Sequence, residues 1–169
     1  MRKIDLSGKW LLMDTDTIGH FLKGRGLGYL NYLFKGQLII LEDVEDELTG
    51  RQTLQHRTDV LQAIQKGVFT RMSLPTNEVR IQTEYDRLCD TRSAGEAACL
   101  ALGRYVKDMI VVTNLPCLVR YCQRYGIIFV GTLGLLQIAQ HEKVVGNAEI
   151  ADFIRHVQLQ GGRLSGTLF

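Results

Sequence analysis

The chain lacks the features that would bind nucleic acid through net charge, cross a membrane or fix a fold by cross-links. Its 20 Lys and Arg stand against 18 Asp and Glu, a net charge of +2 over 169 residues. That balance excludes a polybasic or acidic tail and a surface that attracts polyanions by net charge alone; a local basic patch stays open. There are only two prolines and no low-complexity tract, which argues against long disordered segments. No stretch reaches the roughly 18 apolar residues of a membrane helix; the longest candidate, 126–139, carries Thr132 and Gln137. The N-terminus starts basic (Met1-Arg-Lys-Ile-Asp5), but the apolar run after it, Trp10-Leu-Leu-Met13, is too short for a signal-peptide core. The four cysteines, Cys89, Cys99, Cys117 and Cys122, include no C-x-x-C pair, so zinc is disfavoured. A disulfide framework is unusual at this length, and reduced thiols in a cytoplasmic protein are expected.

Residues of the apolar class make up 46% of the chain and charged residues 22%, the mix of an ordinary globular domain. At this length one domain over 1–169 is expected. Unbroken apolar runs at 10–13, 38–41, 109–112 and 127–130 each end in polar or turn residues. Such runs read as strands buried on both faces. Helical patterns alternate with them at 17–23, 27–34, 54–65, 77–89, 93–106, 118–124, 133–140 and 147–158, with one more helix capped by Asp43 and carrying Val44, Glu47 and Leu48. Alternation of this kind predicts an α/β fold, a central parallel sheet flanked by helices in three layers. Ligands of such sheets gather outside the carboxyl ends of the strands, so the residues after each run are where chemistry is sought.

Three acids stand out there. Asp14 ends the first run, Glu47 lies on the helix after the second, and Glu96 sits in the first turn of the 93–106 helix. Carboxylates converging above a parallel sheet suit Mg²⁺ or Mn²⁺, hard ions that take oxygen ligands and keep several waters. Metal-assisted phosphodiester hydrolysis would follow. Each acid also has a structural reading. Ser93-Ala-Gly-Glu96 fits a capping box, Asp14 can brace the Thr15-Asp16-Thr17 turn, and Glu47 closes the acidic run 42–47.

These motifs, in this order, resemble the PIN-domain family, in particular its members with a Gly-Glu-Ala signature. Leu12-Met-Asp-Thr-Asp-Thr17 is similar to the opening strand and first acid, and Val44-Glu-Asp-Glu-Leu48 to V-x-x-E-L. Ala94-Gly-Glu-Ala97 is similar to the third acid's motif, and Tyr125-Gly-Ile-Ile-Phe-Val-Gly-Thr-Leu-Gly-Leu-Leu136 to G-x-x-V-x-G-T-x-G-x-L. The resemblance implies a compact α/β fold and a Mg²⁺- or Mn²⁺-dependent nuclease, mostly of RNA, with Asp14, Glu47 and Glu96 as metal ligands. It also implies a frequent role as the toxin of a toxin–antitoxin pair, and frequent homodimers. Active relatives place Asp, often Asp-Asp, after the fourth strand, whereas this chain has Asn114-Leu115-Pro116. Asn114 offers one neutral oxygen, a weak fourth ligand, and Pro116 predicts that a helix starts there. The alternative reading is a catalytically impaired module that binds nucleic acid or a regulatory protein.

Basic residues supply the contacts a phosphate backbone needs. Arg120 and Arg124 are four apart on a helix, and Lys23 and Arg25 lie in the glycine-broken stretch after the first run. A solvated helix face is the structural alternative. The spacing Gly24-x-Gly26-x-Gly28 is not a dinucleotide fingerprint. His20, His56, His141 and His156 are scattered without ligand spacing and are read as surface or helix residues. A receiver-like phosphoacceptor is disfavoured because the later runs end in Thr113-Asn114 and Gly131-Thr132.

Overall fold

The computed structural model describes residues 6, 8–50 and 54–164; Met1–Asp5, considered above for a targeting signal, lie outside them. The elements run β1 (Trp10–Met13), α1 (Thr15–Lys23), α2 (Leu27–Leu33), β2 (Leu38–Leu41), α3 (Glu42–Thr49), α4 (Leu54–Gln65) and β3 (Thr70–Met72). They continue with α5 (Val79–Cys89), α6 (Ala94–Tyr105), β4 (Met109–Val112), α7 (Pro116–Tyr125), β5 (Phe129–Val130), α8 (Thr132–His141) and α9 (Asn147–Leu159). The five strands form one sheet in the order β3-β2-β1-β4-β5, with every pairing parallel. Leu11, Leu12 and Met13 are all buried, as are all of β2 and three of four residues of β4. Successive strand residues point to opposite faces, so both faces of the sheet are covered. This is the expected α/β architecture with helices flanking a central sheet.

Two strands differ from expectation. β3 carries no apolar run; its residues are exposed or half-buried, because it is an edge strand whose Arg71 pairs with Glu45 of α3. The run 127–130 yields only Phe129–Val130 as β5. Gly126 ends α7 in the left-handed region (φ 66), and the chain needs the next residues to turn back to the sheet. Helix α3 also starts one residue early. Leu41 is its N-cap and Asp43 lies inside the first turn, where its carboxylate accepts from Tyr85 Oη at 2.8 Å.

Strand order fixes where a ligand can sit. From β1 the chain moves outward to β2 and β3, then crosses back to place β4 on the other side of β1. The carboxyl ends of β1 and β4 therefore flank the point where the winding reverses, the place where open α/β sheets form a crevice. Asp14 follows β1 and Thr113-Asn114 follow β4. Helix α6 packs on β1, β2 and β4, bringing its N-terminus to the same edge.

Candidate functional site

Asp14 is the N-cap of α1. Its N–H donates to the Val112 carbonyl at 3.1 Å, continuing the β1–β4 ladder by one bond, and its Oδ1 accepts from the Thr17 N–H at 2.7 Å. The structural role suggested by the sequence is therefore real, but it occupies one oxygen only. Oδ2 is buried with no hydrogen-bond partner. Burial pushes the Asp14 carboxyl up to about 7, with the nearby Thr113 hydroxyl and Thr17 pulling the other way and Asp16 adding to the rise. A buried carboxylate short of donors either takes a proton or waits for a cation.

Glu47 reaches across from α3. Its Oε2 accepts from Thr15 Oγ1 at 2.5 Å and its Oε1 from the Gly95 N–H at 2.7 Å. Thr15 opens α1 and Gly95 lies in the first turn of α6, so one carboxylate answers two helix N-termini, where negative charge is favoured. A Cβ on Gly95 would sit 2.9–3.0 Å from the Glu47 carboxyl; glycine here is what lets the acid approach the backbone.

Glu96 follows directly and is half-buried. Burial raises its carboxyl first, the Arg92 guanidinium pulls it down, and the charge of Glu47 raises it further. Ser93 caps α6 by accepting from the Glu96 N–H at 3.3 Å. One turn on, the Cys99 thiol lies 3.9 Å from the Met13 carbonyl. Burial pushes that thiol up, and the charges of Asp14, Glu47 and Asp43 push it further. One buried sulfur thus feels acids from β1 and α3.

Asn114 is 3% exposed. Its Oδ1 accepts from the Thr132 N–H at 2.8 Å. Its Nδ2 lies 2.8 Å from Thr132 Oγ1, 3.3 Å from Thr17 Oγ1, 3.3 Å from Asp16 Oδ2 and 3.2 Å from His20 Nδ1. The amide joins the end of β4 to α1 and to the start of α8. An aspartate would set a second carboxylate against Asp16 with no hydrogen to share, which is the physical reason an amide suits this setting. Leu115 is the N-cap of α7 in extended geometry with Pro116 next, as the Pro116 argument predicts. Its N–H donates to Thr113 Oγ1 at 3.2 Å.

The sequence reading missed His20 and Thr132. His20 is 2% exposed; its Nδ1 lies 3.2 Å from Thr132 Oγ1 and its Nε2 3.7 Å from Asp16 Oδ1. This corrects its reading as a scattered surface or helix histidine. The i, i+4 pairing with Asp16 was the available signal. The basic residues fall into two groups. Arg120 and Arg124 are exposed on α7, whose start follows Asn114, and the Arg124 guanidinium lies 5.5 Å from the Tyr125 ring centroid. Lys23 and Arg25 lie at the far end of α1 from Asp14, about 13 Å along the helix. Arg25 (φ 57) lines a cleft with Tyr29, Glu149, Asp152 and His156.

Among the described residues, no three or more His, Cys, Asp or Glu side chains are gathered tightly enough to hold a metal on their own. The donor set still fits an ion that keeps most of its water. Asp14 Oδ2 is an acceptor with nothing to accept from, Glu96 is half-open to solvent, and a few carboxylates plus substrate phosphate are what Mg²⁺ uses. A family model described as a PIN domain matches residues 11–169. No curated protein and no solved structure matches the chain.

Proposed function

This chain belongs to the PIN-domain family, and from that premise we propose that it is a single-domain, divalent-metal-dependent nuclease acting on RNA. The observation that carries this reading is the buried, partnerless Oδ2 of Asp14 at the reversal point of the sheet. In this reading Asp14 and Glu96 hold Mg²⁺ or Mn²⁺. Glu47 adds its charge while fixing the starts of α1 and α6, and Asn114 contributes at most its neutral oxygen. When bound, the ion supplies activation of water and stabilisation of the charge that develops on the phosphate. Arg120 and Arg124 hold the backbone of the nucleic acid, with Lys23 and Arg25 as outlying contacts. A toxin role, with a neutralising protein partner and a homodimeric assembly, belongs to the same proposal. No helix among the described residues is long and apolar enough to cross a membrane.

The test is a melting curve with and without millimolar Mn²⁺, beside an RNA cleavage assay. Mn²⁺ at about a hundred times its Kd stabilises by about 2.7 kcal/mol. Glu96→Gln removes most of that gain, and cleavage in the wild type depends on the ion. An unmoved wild-type melting curve would reject the metal.

A second reading has its own observation. The Asn114 amide is committed to Thr132, Thr17 and Asp16, and Leu115 brings no acid beside it. That arrangement favours a catalytically impaired module that retains binding to nucleic acid or to a regulatory protein. Leu115→Asp separates the two: cleavage gained only in the variant identifies the impaired form, and strong cleavage in the wild type eliminates it.

A further inference from the structure

Among the described residues, three buried side-chain atoms have no hydrogen-bond partner: Asp14 Oδ2, Arg92 Nε and Gln137 Oε1. Gln137 is on α8 and lines a separate groove against α9. The other two concern one neighbourhood. Arg92 immediately precedes Ser93, the N-cap of α6, and its guanidinium acts on the Glu96 carboxyl. Glu96 in turn feels Glu47, and Glu47 is bonded to Thr15, next to Asp14. The unmet needs are opposite in kind. Asp14 has an acceptor without a donor; Arg92 has a donor without an acceptor.

A carboxylate of the site does not satisfy Arg92 Nε, although the charge of Glu96 is close by. Other arginines are already committed. Arg104 meets Glu84 at 3.0 Å and lies 3.7 Å from the Tyr125 ring centroid, Arg87 pairs with Glu84, and Arg71 with Glu45. A guanidinium presents a planar fork of donors that matches phosphate oxygens. A phosphodiester that carries a divalent cation would answer both orphaned atoms at once, the cation at Asp14 and a non-bridging oxygen at Arg92. We infer that Arg92 is the phosphate-contact residue of the candidate site, holding the nucleic-acid phosphate that lies against the acids. The inference rests on the nuclease reading above and adds to it the side chain that takes the substrate's anion. It assigns the contact nearest the acids to α6, leaving the α7 arginines to more distant phosphates.

The experiment uses the full chain and a fluorescein-labelled, mixed-sequence single-stranded RNA, with Ca²⁺ in place of Mn²⁺ to suppress cleavage. Anisotropy titrations at several salt concentrations compare the wild type with Arg92→Ala and Arg92→Lys, and each protein is also melted with and without Mn²⁺. Arg92→Ala is expected to weaken binding about tenfold and to reduce the slope of log affinity against log salt by about 0.7, the release from one single-strand phosphate. Arg92→Lys is expected to keep the slope while losing part of the affinity, since a point charge replaces the fork. The Mn²⁺ shift survives in both variants. An unchanged affinity and slope in Arg92→Ala, with the Mn²⁺ shift intact, would reduce Arg92 to a counter-ion of Glu96 and overturn the inference alone. A wild type that neither binds this RNA nor responds to Mn²⁺ would remove the nuclease reading, and this one with it.

Discussion

Asp14 and Glu84 are both buried carboxylates, 1% and 7% exposed, yet their surroundings are opposite. Glu84 on α5 receives Tyr121 Oη of α7, Arg87 of its own helix and Arg104 of α6 at 3.0 Å. Burial pushes its carboxyl up, but those donors and charges together overcome it and hold the group below the ordinary range. Asp14 has two hydroxyls and one backbone N–H near it, no cation, and stands at about 7. A carboxylate that serves packing is surrounded by donors; one left short of them keeps capacity for something that arrives later. Perturbed acids in a crevice are candidate functional groups for that reason, and the contrast within one molecule separates the two uses.

The largest expected effect concerns pH. The Asp14 carboxyl titrates near 3.8 in the unfolded chain and near 7 when folded without metal, so the folded state binds the extra proton between those values. Stability of the metal-free protein is then greatest near the lower end and falls as pH rises to about 7, by up to roughly 4 kcal/mol. Glu84 acts with the opposite sign, its contribution being present above the usual glutamate range and lost on acidification through its lowered folded value. Urea unfolding from pH 4 to 8 with chelator should show the fall, and Mn²⁺ should flatten it. A flat metal-free profile would erase the distinction between the two acids.

Next in size is Glu84→Ala. It leaves Arg104 and Tyr121 facing a lost partner, and removing one member of a buried ion pair costs about 3 kcal/mol or more. Urea midpoints measure that loss, while the Mn²⁺-induced shift in Tm should stay at its wild-type size. Asp14→Asn is expected to do the reverse. It abolishes the Mn²⁺ shift but stabilises the metal-free protein at pH 8 by about 1–2 kcal/mol, because no charge has to be desolvated. A destabilised Asp14→Asn with a normal Mn²⁺ response would make Asp14 a helix cap and nothing more.

Much of the architecture was legible because strands covered on both faces must be written as continuous apolar runs, and β1, β2 and β4 are. β3 was not, since an edge strand built on Thr70 and Arg71 owes its place to its partner strand and to Glu45. Asp14, Glu47 and Glu96 stood out as acids next to strand ends or helix starts. That Glu47 is bound by Thr15 and Gly95 depends on three elements meeting, which no local pattern records. Glu84 looked like any acid of a polar helix, and its burial comes from Arg87, Arg104 and Tyr121 closing over it. His20 was hidden by its isolation in sequence; its neighbours Asn114 and Thr132 arrive from the far side of the sheet.

The Glu47 clamp has a consequence for how this protein can change. One carboxyl group in α3 ties down the beginnings of two helices that belong to different crossovers, so the spacing between Asp14 and Glu96 is inherited from helix packing and owes little to loop shape. The stretch after β4 lies outside that clamp. Substitutions can accumulate there, as Asn114-Leu115-Pro116 illustrates, while the remaining acids keep their places; the scaffold can be retuned, silenced or revived from one corner without being rebuilt.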